Sequence, residues 1–137
     1  MIVLLSFSAS SIFAKKPNTL TVKEQKEGWI LLFDGKTMNG WRDYNGTTLT
    51  EPWHVVDGCI QAKGAGSDGS GYLVTDKEYE NFELSWDWKL SKGGNSGMLY
   101  HVVERPQFKV PYVTGPEYQL IDEPNFPEKL QEWQKLG

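Results

Sequence analysis

Glu117 and Gln119 stand two residues apart in the segment Gly115-Pro116-Glu117-Tyr118-Gln119. On a strand that spacing turns both side chains to one face. A carboxylate beside an amide suits a proton acceptor, or an acceptor for ligand hydroxyls, next to a hydrogen-bond donor. The competing account is a solvated strand edge. Asn95 and Ser96 lie between Gly94 and Gly97, where their side chains either contact a ligand or hold a turn. His101 follows shortly after, and an imidazole titrates near working pH. Asp87 and Lys89 share the polar face of an alternating segment; they either point into a cleft or form an ordinary surface ion pair. His54, next to Trp53, reads as a surface histidine.

Other chemistries are poorly supplied. The single cysteine, Cys59, excludes an internal disulfide; its place in an apolar alternation predicts a buried, inert thiol. There is no C-x-x-C or H-E-x-x-H spacing and no EF-hand-like loop, so neither a metal nor a cofactor is expected. Gly64 to Gly71 is glycine-rich but lacks the GxxxxGK[ST] order, and no helical pattern follows it to cradle phosphate. Glu83 and Asp87 stand four apart without a third acid, so the E-x-D-x-x-E strand signature of jelly-roll glucanases is absent.

The elements that must position these residues are mostly short strands. Trp29-Ile30-Leu31-Leu32-Phe33, closed by Asp34-Gly35, predicts a buried strand entering a turn. Trp53 to Val56 and Cys59 to Ala62, joined by Asp57-Gly58, predict a hairpin. Tyr72 to Thr75 is a further strand. From Asn81 to Leu90, Phe82, Leu84, Trp86, Trp88 and Leu90 alternate with polar residues, which predicts a strand with one apolar face. Met98 to Val103 is expected to pair antiparallel with it, and Tyr118 to Asp122 is another strand. In the tail, Phe126, Leu130 and Trp133 recur at helical spacing, with Pro127 in the first turn and Gly137 at the end, so a short helix is expected there. Pro17 to Glu27 lacks hydrophobic periodicity and reads as a leader.

A chain of 137 residues with 39% hydrophobic and 23% charged residues fits one globular domain. Six each of Trp, Tyr and Phe are mainly core material, with one or two free for stacking on a ligand. The net charge of -4 and pI near 5.2 argue against nucleic acid as a partner, which requires clustered Lys and Arg. Met1 to Ala14 is uncharged and apolar or small, and Lys15-Lys16-Pro17 follows. That pattern is similar to a secretory signal peptide without its basic start and is too short to span a membrane, so an exported, periplasmic or extracellular protein is expected. Many short strands with glycine-rich turns predict an all-β sandwich of two antiparallel sheets. Closing such a sandwich takes further strands, so an incomplete fold with an unpaired edge is expected.

Four segments in order carry a resemblance: Leu32 to Trp41 (LFDGKTMNGW), Trp53 to Gly58 (WHVVDG), Gly94 to Met98 (GNSGM) and Gly115 to Asp122 (GPEYQLID). Together they resemble the 3-keto-disaccharide hydrolase domain family, once called the domain of unknown function 1080, over about Gly28 to Gly137. The resemblance implies a concanavalin-A-like jelly-roll sandwich in residues 28–137, after a signal at 1–14 and a leader at 15–27. It also implies an exported bacterial enzyme, with keto-sugar glycosides as partner. Such enzymes act on glycosides carrying a ketone at carbon 3. The ketone acidifies the proton at carbon 2, elimination expels the carbon-1 group, and water adds to give net hydrolysis. One base and donors to the developing oxyanion suffice, unlike the paired carboxylates of ordinary glycosidases. Glu117 then reads as the catalytic acid or base, with Gln119, Asn95, Ser96, His101, Asp87 and Lys89 as substrate contacts. Many relatives carry Arg where His101 stands, which assigns His101 to binding. Relatives also continue past Gly137 with strands that include a Trp-Asn segment. A carbohydrate-binding module without catalysis, or an inactive fragment, is the alternative.

Overall fold

An aspartate and a glycine in left-handed conformation set the first hairpin. In the computed structural model, which describes residues 15–49, 53–62, 71–132 and 135, Asp57 and Gly58 have φ of 50° and 75°. Two successive positive φ values give the tight turn whose twist matches paired strands. Strands β2 (Trp53–Val56) and β3 (Cys59–Ala62) accordingly run antiparallel, with Val56 opposite Cys59 and Trp53 opposite Ala62. The thiol of Cys59 departs from expectation. It is exposed, because the first residue after the turn lies at the ladder's end, where Sγ faces only the Asp57 carbonyl at 3.9 Å.

Strand β1 (Trp41–Asp43) pairs antiparallel with β4 (Leu73–Thr75), Trp41 opposite Thr75. The Trp41 indole donates to the Leu32 carbonyl at 2.7 Å. Asp34 Oδ1 accepts from the backbone N–H of Lys36 and of Thr37, each at 2.7 Å, a side-chain-closed turn. The apolar run Trp29 to Phe33 leading into that turn is not a buried strand. Ile30 is 57% and Leu31 44% exposed. The Leu32 carbonyl is taken by an indole, and no described strand lies alongside to form a ladder.

The third ladder joins β5 (Asn95–Leu99) to β6 (Glu117–Ile121), with Asn95 opposite Ile121, Gly97 opposite Gln119 and Leu99 opposite Glu117. Asp122 N–H donates to the Gly94 carbonyl and carries the ladder one step further. β5 therefore pairs with β6 and not with the alternating segment 81–90. Gly93 at φ 68° and the Gly94 to Ser91 backbone bond turn the chain between them. Residues 82–90 join no ladder. Their alternation survives as burial: Leu84, Trp86 and Leu90 are half-buried while the polar positions between them are exposed. Phe82 and Trp88 remain about half exposed.

Two departures concern helix. The leader contains a five-residue helix, α1 (Val22–Lys26), whose Thr21 side chain accepts from Glu24 N–H while Glu24 accepts from Thr21 N–H. This reciprocal capping box nucleates a helix that buries nothing. In the tail, a 3-10 turn at Glu123–Asn125 ends at Phe126 with extended backbone, and residues 126–131 are not helical. Pro127 disfavours helical backbone at Phe126; Trp133 and Gly137 lie outside the described residues, as does the expected signal at 1–14.

All the pairing is antiparallel. Among the described residues the buried hydrophobic side chains are Leu120 and Ile121, with the fully buried Pro111 of the 3-10 turn Pro111–Val113. The core thus sits at β6, the strand that also carries Glu117 and Gln119.

Candidate functional site

Register decides which side chains meet. Residues directly opposite in a ladder share a face, so Asn95, Gly97 and Leu99 lie on the same face as Ile121, Gln119 and Glu117. Gln119 Nε2 donates to Asn95 Oδ1 at 2.5 Å and to the Ser96 carbonyl at 2.9 Å. The two amides lock one another, which leaves the Asn95 NH₂ and the Gln119 carbonyl oxygen to address a ligand. Ser96 pairs with Leu120 on the opposite face; its contribution here is its backbone carbonyl.

Glu117 lies next to this amide pair. Its side chain folds back across β5, so that a Cβ built on Gly97 would stand 2.5 Å from Glu117 Cγ and nearer still to the carboxylate. Burial pushes the Glu117 carboxyl above the ordinary carboxylate range, since desolvation disfavours the charged form. Two tyrosines, Tyr72 and Tyr112, are part of the same surroundings. The Tyr72 phenol is raised first by burial, then by the charges of Tyr112 and Glu117. Tyr44, Tyr72 and Tyr112 form a row of edge-to-face rings, each step 6.3 Å, and Tyr112 is 58% exposed. Sequence reasoning missed these rings. Tyr72 precedes β4 and Tyr112 sits in a 3-10 turn, and no periodicity links them.

His101 stands just beyond the Glu117 end of β5. It holds φ of 52°, a left-handed conformation uncommon for a side chain of this size, and its ring contacts Phe82 and Tyr100 at 5.9 and 5.6 Å. Asp87 and Lys89 fall elsewhere. Their neighbours Trp88 and Leu90, with Ile121, Asp122, Glu123 and Pro124, line a shallow depression of about 450 Å³. That depression lies at the other end of β6 from Glu117, roughly 13 Å along the strand. None of the acid, the amide pair and the tyrosines is among the residues that line it. No ion pair joins Asp87 and Lys89 among the described residues.

A clamp holds the ladders together. Arg42 of β1 donates from both terminal nitrogens to Glu104, at 2.7 and 2.5 Å, and Asn45 N–H donates to Glu104 Oε1 at 2.6 Å. Tyr44 Oη donates to the Val103 carbonyl at 3.3 Å. The Arg42 guanidinium holds Glu104 below the ordinary carboxylate range. Tyr44 and Tyr72, at the ends of β1 and β4, are thereby fixed against the chain that leads from β5 to β6 and carries Tyr112. Among the described residues no group of three His, Cys, Asp or Glu side chains converges on a metal-sized site, and no helix is long and apolar enough to cross a membrane.

Comparison with known proteins bears on the fold and the family. A crystal structure from Parabacteroides distasonis, described as a candidate glycosyl hydrolase, superposes with a TM-score of 0.79 at 48% identity, covering 89% of this chain and 57% of that one. The fold is thus the antiparallel all-β sandwich class shared with that protein. The profile of the 3-keto-alpha-glucoside-1,2-lyase-like domain matches residues 28–137, and the chain belongs to that family. A Bacteroides thetaiotaomicron protein named 3-keto-disaccharide hydrolase is 37% identical over 92% of this chain and 48% of its own length. A polygalacturonase from Phaedon cochleariae is 27% identical over 82% of this chain and 25% of its own. The chain spans about half the length of the bacterial relatives it matches.

Proposed function

We propose that this chain carries the glycoside-cleaving face of an exported bacterial enzyme acting on 3-keto glycosides. The observation that carries the reading is a raised carboxyl, Glu117, folded over Gly97 beside the locked Gln119–Asn95 amide pair, in a chain of this family. A carbonyl at carbon 3 acidifies the proton at carbon 2. The Glu117 carboxylate takes that proton, and the electron pair moves onto the carbon-3 oxygen as an enolate. The Asn95 NH₂ is the donor available to that oxygen. Collapse of the enolate breaks the bond from carbon 1 to the glycosidic oxygen, which leaves with the proton that Glu117 took, restoring the carboxylate. Water then adds across the new double bond, hydroxyl to carbon 1 and proton to carbon 2, giving net hydrolysis. A carboxyl raised toward neutrality suits this task, because its conjugate base is stronger than an ordinary carboxylate. The uncharged apolar run Met1 to Ala14 ahead of Lys15-Lys16-Pro17 supports export.

Incubating the protein with a 3-keto-disaccharide should release the carbon-1 sugar. Glu117→Gln should lower kcat by roughly 100-fold or more, within the contribution of a general base, while sugar binding persists. Undiminished turnover by Glu117→Gln would remove Glu117 from the mechanism. The exposure of Tyr112 and Tyr118, 58% and 56%, favours a second reading, a binding module whose rings stack on sugar faces. Sugar binding that survives Glu117→Ala, with no turnover by the unaltered protein, would select it.

A further inference from the structure

Glycine inside a strand loses stability and marks a place where something else approaches the backbone closely. Gly97 sits in the middle of β5, and it is not among the glycines with positive φ. Its backbone therefore does not require glycine. Space does, and the group that fills the space is specific. A Cβ at Gly94 would meet the Ser91 carbonyl oxygen at 2.8 Å, and one at Gly115 would meet Val102 Cγ2 at 2.6 Å and the Tyr100 carbonyl oxygen at 2.7 Å; at both, backbone crowds the position. At Gly97 the three nearest atoms all belong to the Glu117 side chain.

We propose that Gly97 is a positioning residue for Glu117: its missing side chain is a notch that seats the acid flat against β5, beside Gln119 and Asn95. Glu117 and Gly97 are offset by two ladder positions on a shared face, Leu99 being directly opposite Glu117 and Gly97 opposite Gln119. The acid thus leans along the sheet toward the amide pair. Any larger residue at 97 forces it off that seat. Because Glu117 is a flexible side chain and not backbone, it swings away while the ladder remains, so the acid is misplaced without being removed. The notch also explains part of the burial that raises this carboxyl, since a carboxylate lying on the strand sheds water that one extended into solvent would keep.

This inference rests on the role given to Glu117 above, and the test separates the two. In ¹³C-labelled protein, the Glu117 side-chain carboxyl is titrated by NMR in the unaltered chain and in Gly97→Ala. The expected result is a Glu117 midpoint above the ordinary range in the former and back within it in the latter, with Glu104 and Asp122 unmoved as reporters of an intact fold. Turnover of a 3-keto-α-glucoside with a p-nitrophenyl leaving group should fall roughly 10- to 100-fold in kcat, the cost of displacing a reacting group by about an ångström, with KM within about twofold. An unchanged Glu117 titration overturns the proposal, as does an unaltered kcat in a variant whose titration has moved. Should Gly97→Ala fail to fold, the unaltered protein decides: a nuclear Overhauser contact between the Glu117 γ-protons and the Gly97 α-protons is required, and its absence is fatal. Full turnover by Glu117→Gln sinks the catalytic reading, while the titration continues to report on the notch.

Discussion

The carboxyls of this chain are pushed in opposite directions, and each direction has its own pH signature. Glu117 is raised by burial, so the folded state prefers its protonated form. The penalty for ionising it is absent below its unfolded pKa and complete above its folded one. Glu117→Gln removes that penalty, so the variant should melt above the unaltered protein at pH 7, with the gap closing toward pH 4. Equal gaps at both pH values would show that burial is not the cause. The opposite sign holds for Glu104, lowered by its bond to Arg42, for Asp122, lowered by Gly93 N–H, and for Asp34, lowered by Thr37 N–H. Glu24, bonded to Lys15, is held down at about 2. These groups stabilise the fold above their unfolded values and lose that contribution as pH falls through the folded ones. Thermal melts between pH 7 and pH 3 should therefore show a falling Tm below about pH 4.5, the last part of it carried by Glu24.

Among the elements, the Arg42–Glu104 clamp ties β1 to the chain that connects β5 with β6. Both side chains are mostly covered, 21% and 27% exposed, so removing one partner strands charge and a backbone donor. Glu104→Ala should lower stability by about 1–3 kcal/mol, read as a drop in the urea midpoint at constant m. That clamp was illegible in the sequence, because its partners are 62 residues apart and neither sits in a motif. The Asp57-Gly58 hairpin was fully legible, since turn chemistry is local. The helix at Val22–Lys26 had a local signal too, Thr21 three before Glu24, but a helix that buries nothing leaves no hydrophobic period to find. Alternation over 81–90 matches the cover of Leu84, Trp86 and Leu90 but not the exposure of Phe82 and Trp88, and it says nothing about partners. It could not reveal that β5 pairs with β6 instead. In the site, period two was enough to set Glu117 beside Gln119. Tyr72 and Tyr112 reach Glu117 only through tertiary packing, and Gly97 is recognisable as a notch only when the carboxylate is seen lying in it.

For the whole molecule, the described residues form three separate ladders of two strands each, a unit that is marginal in water by itself. Leu120 and Ile121 are buried, whereas Ile30, Trp88, Tyr112, Val113 and Tyr118 are each roughly half exposed. A hydrophobic dye such as ANS should bind this chain strongly at neutral pH, and calorimetry should show a broad transition of low enthalpy per residue. A sharp transition without dye binding would mean that these side chains are covered in solution.

Among the described residues β6 pairs with β5 alone, so its other row of N–H and C=O groups has no described strand beside it. Such a row is a template, and it accepts whatever extended backbone arrives first. The strand that carries Glu117 and Gln119 is thus also a place where chains can join, and crowding puts the two uses in competition. If the proposed activity holds, specific activity should decline as concentration rises, well before any unfolding is visible.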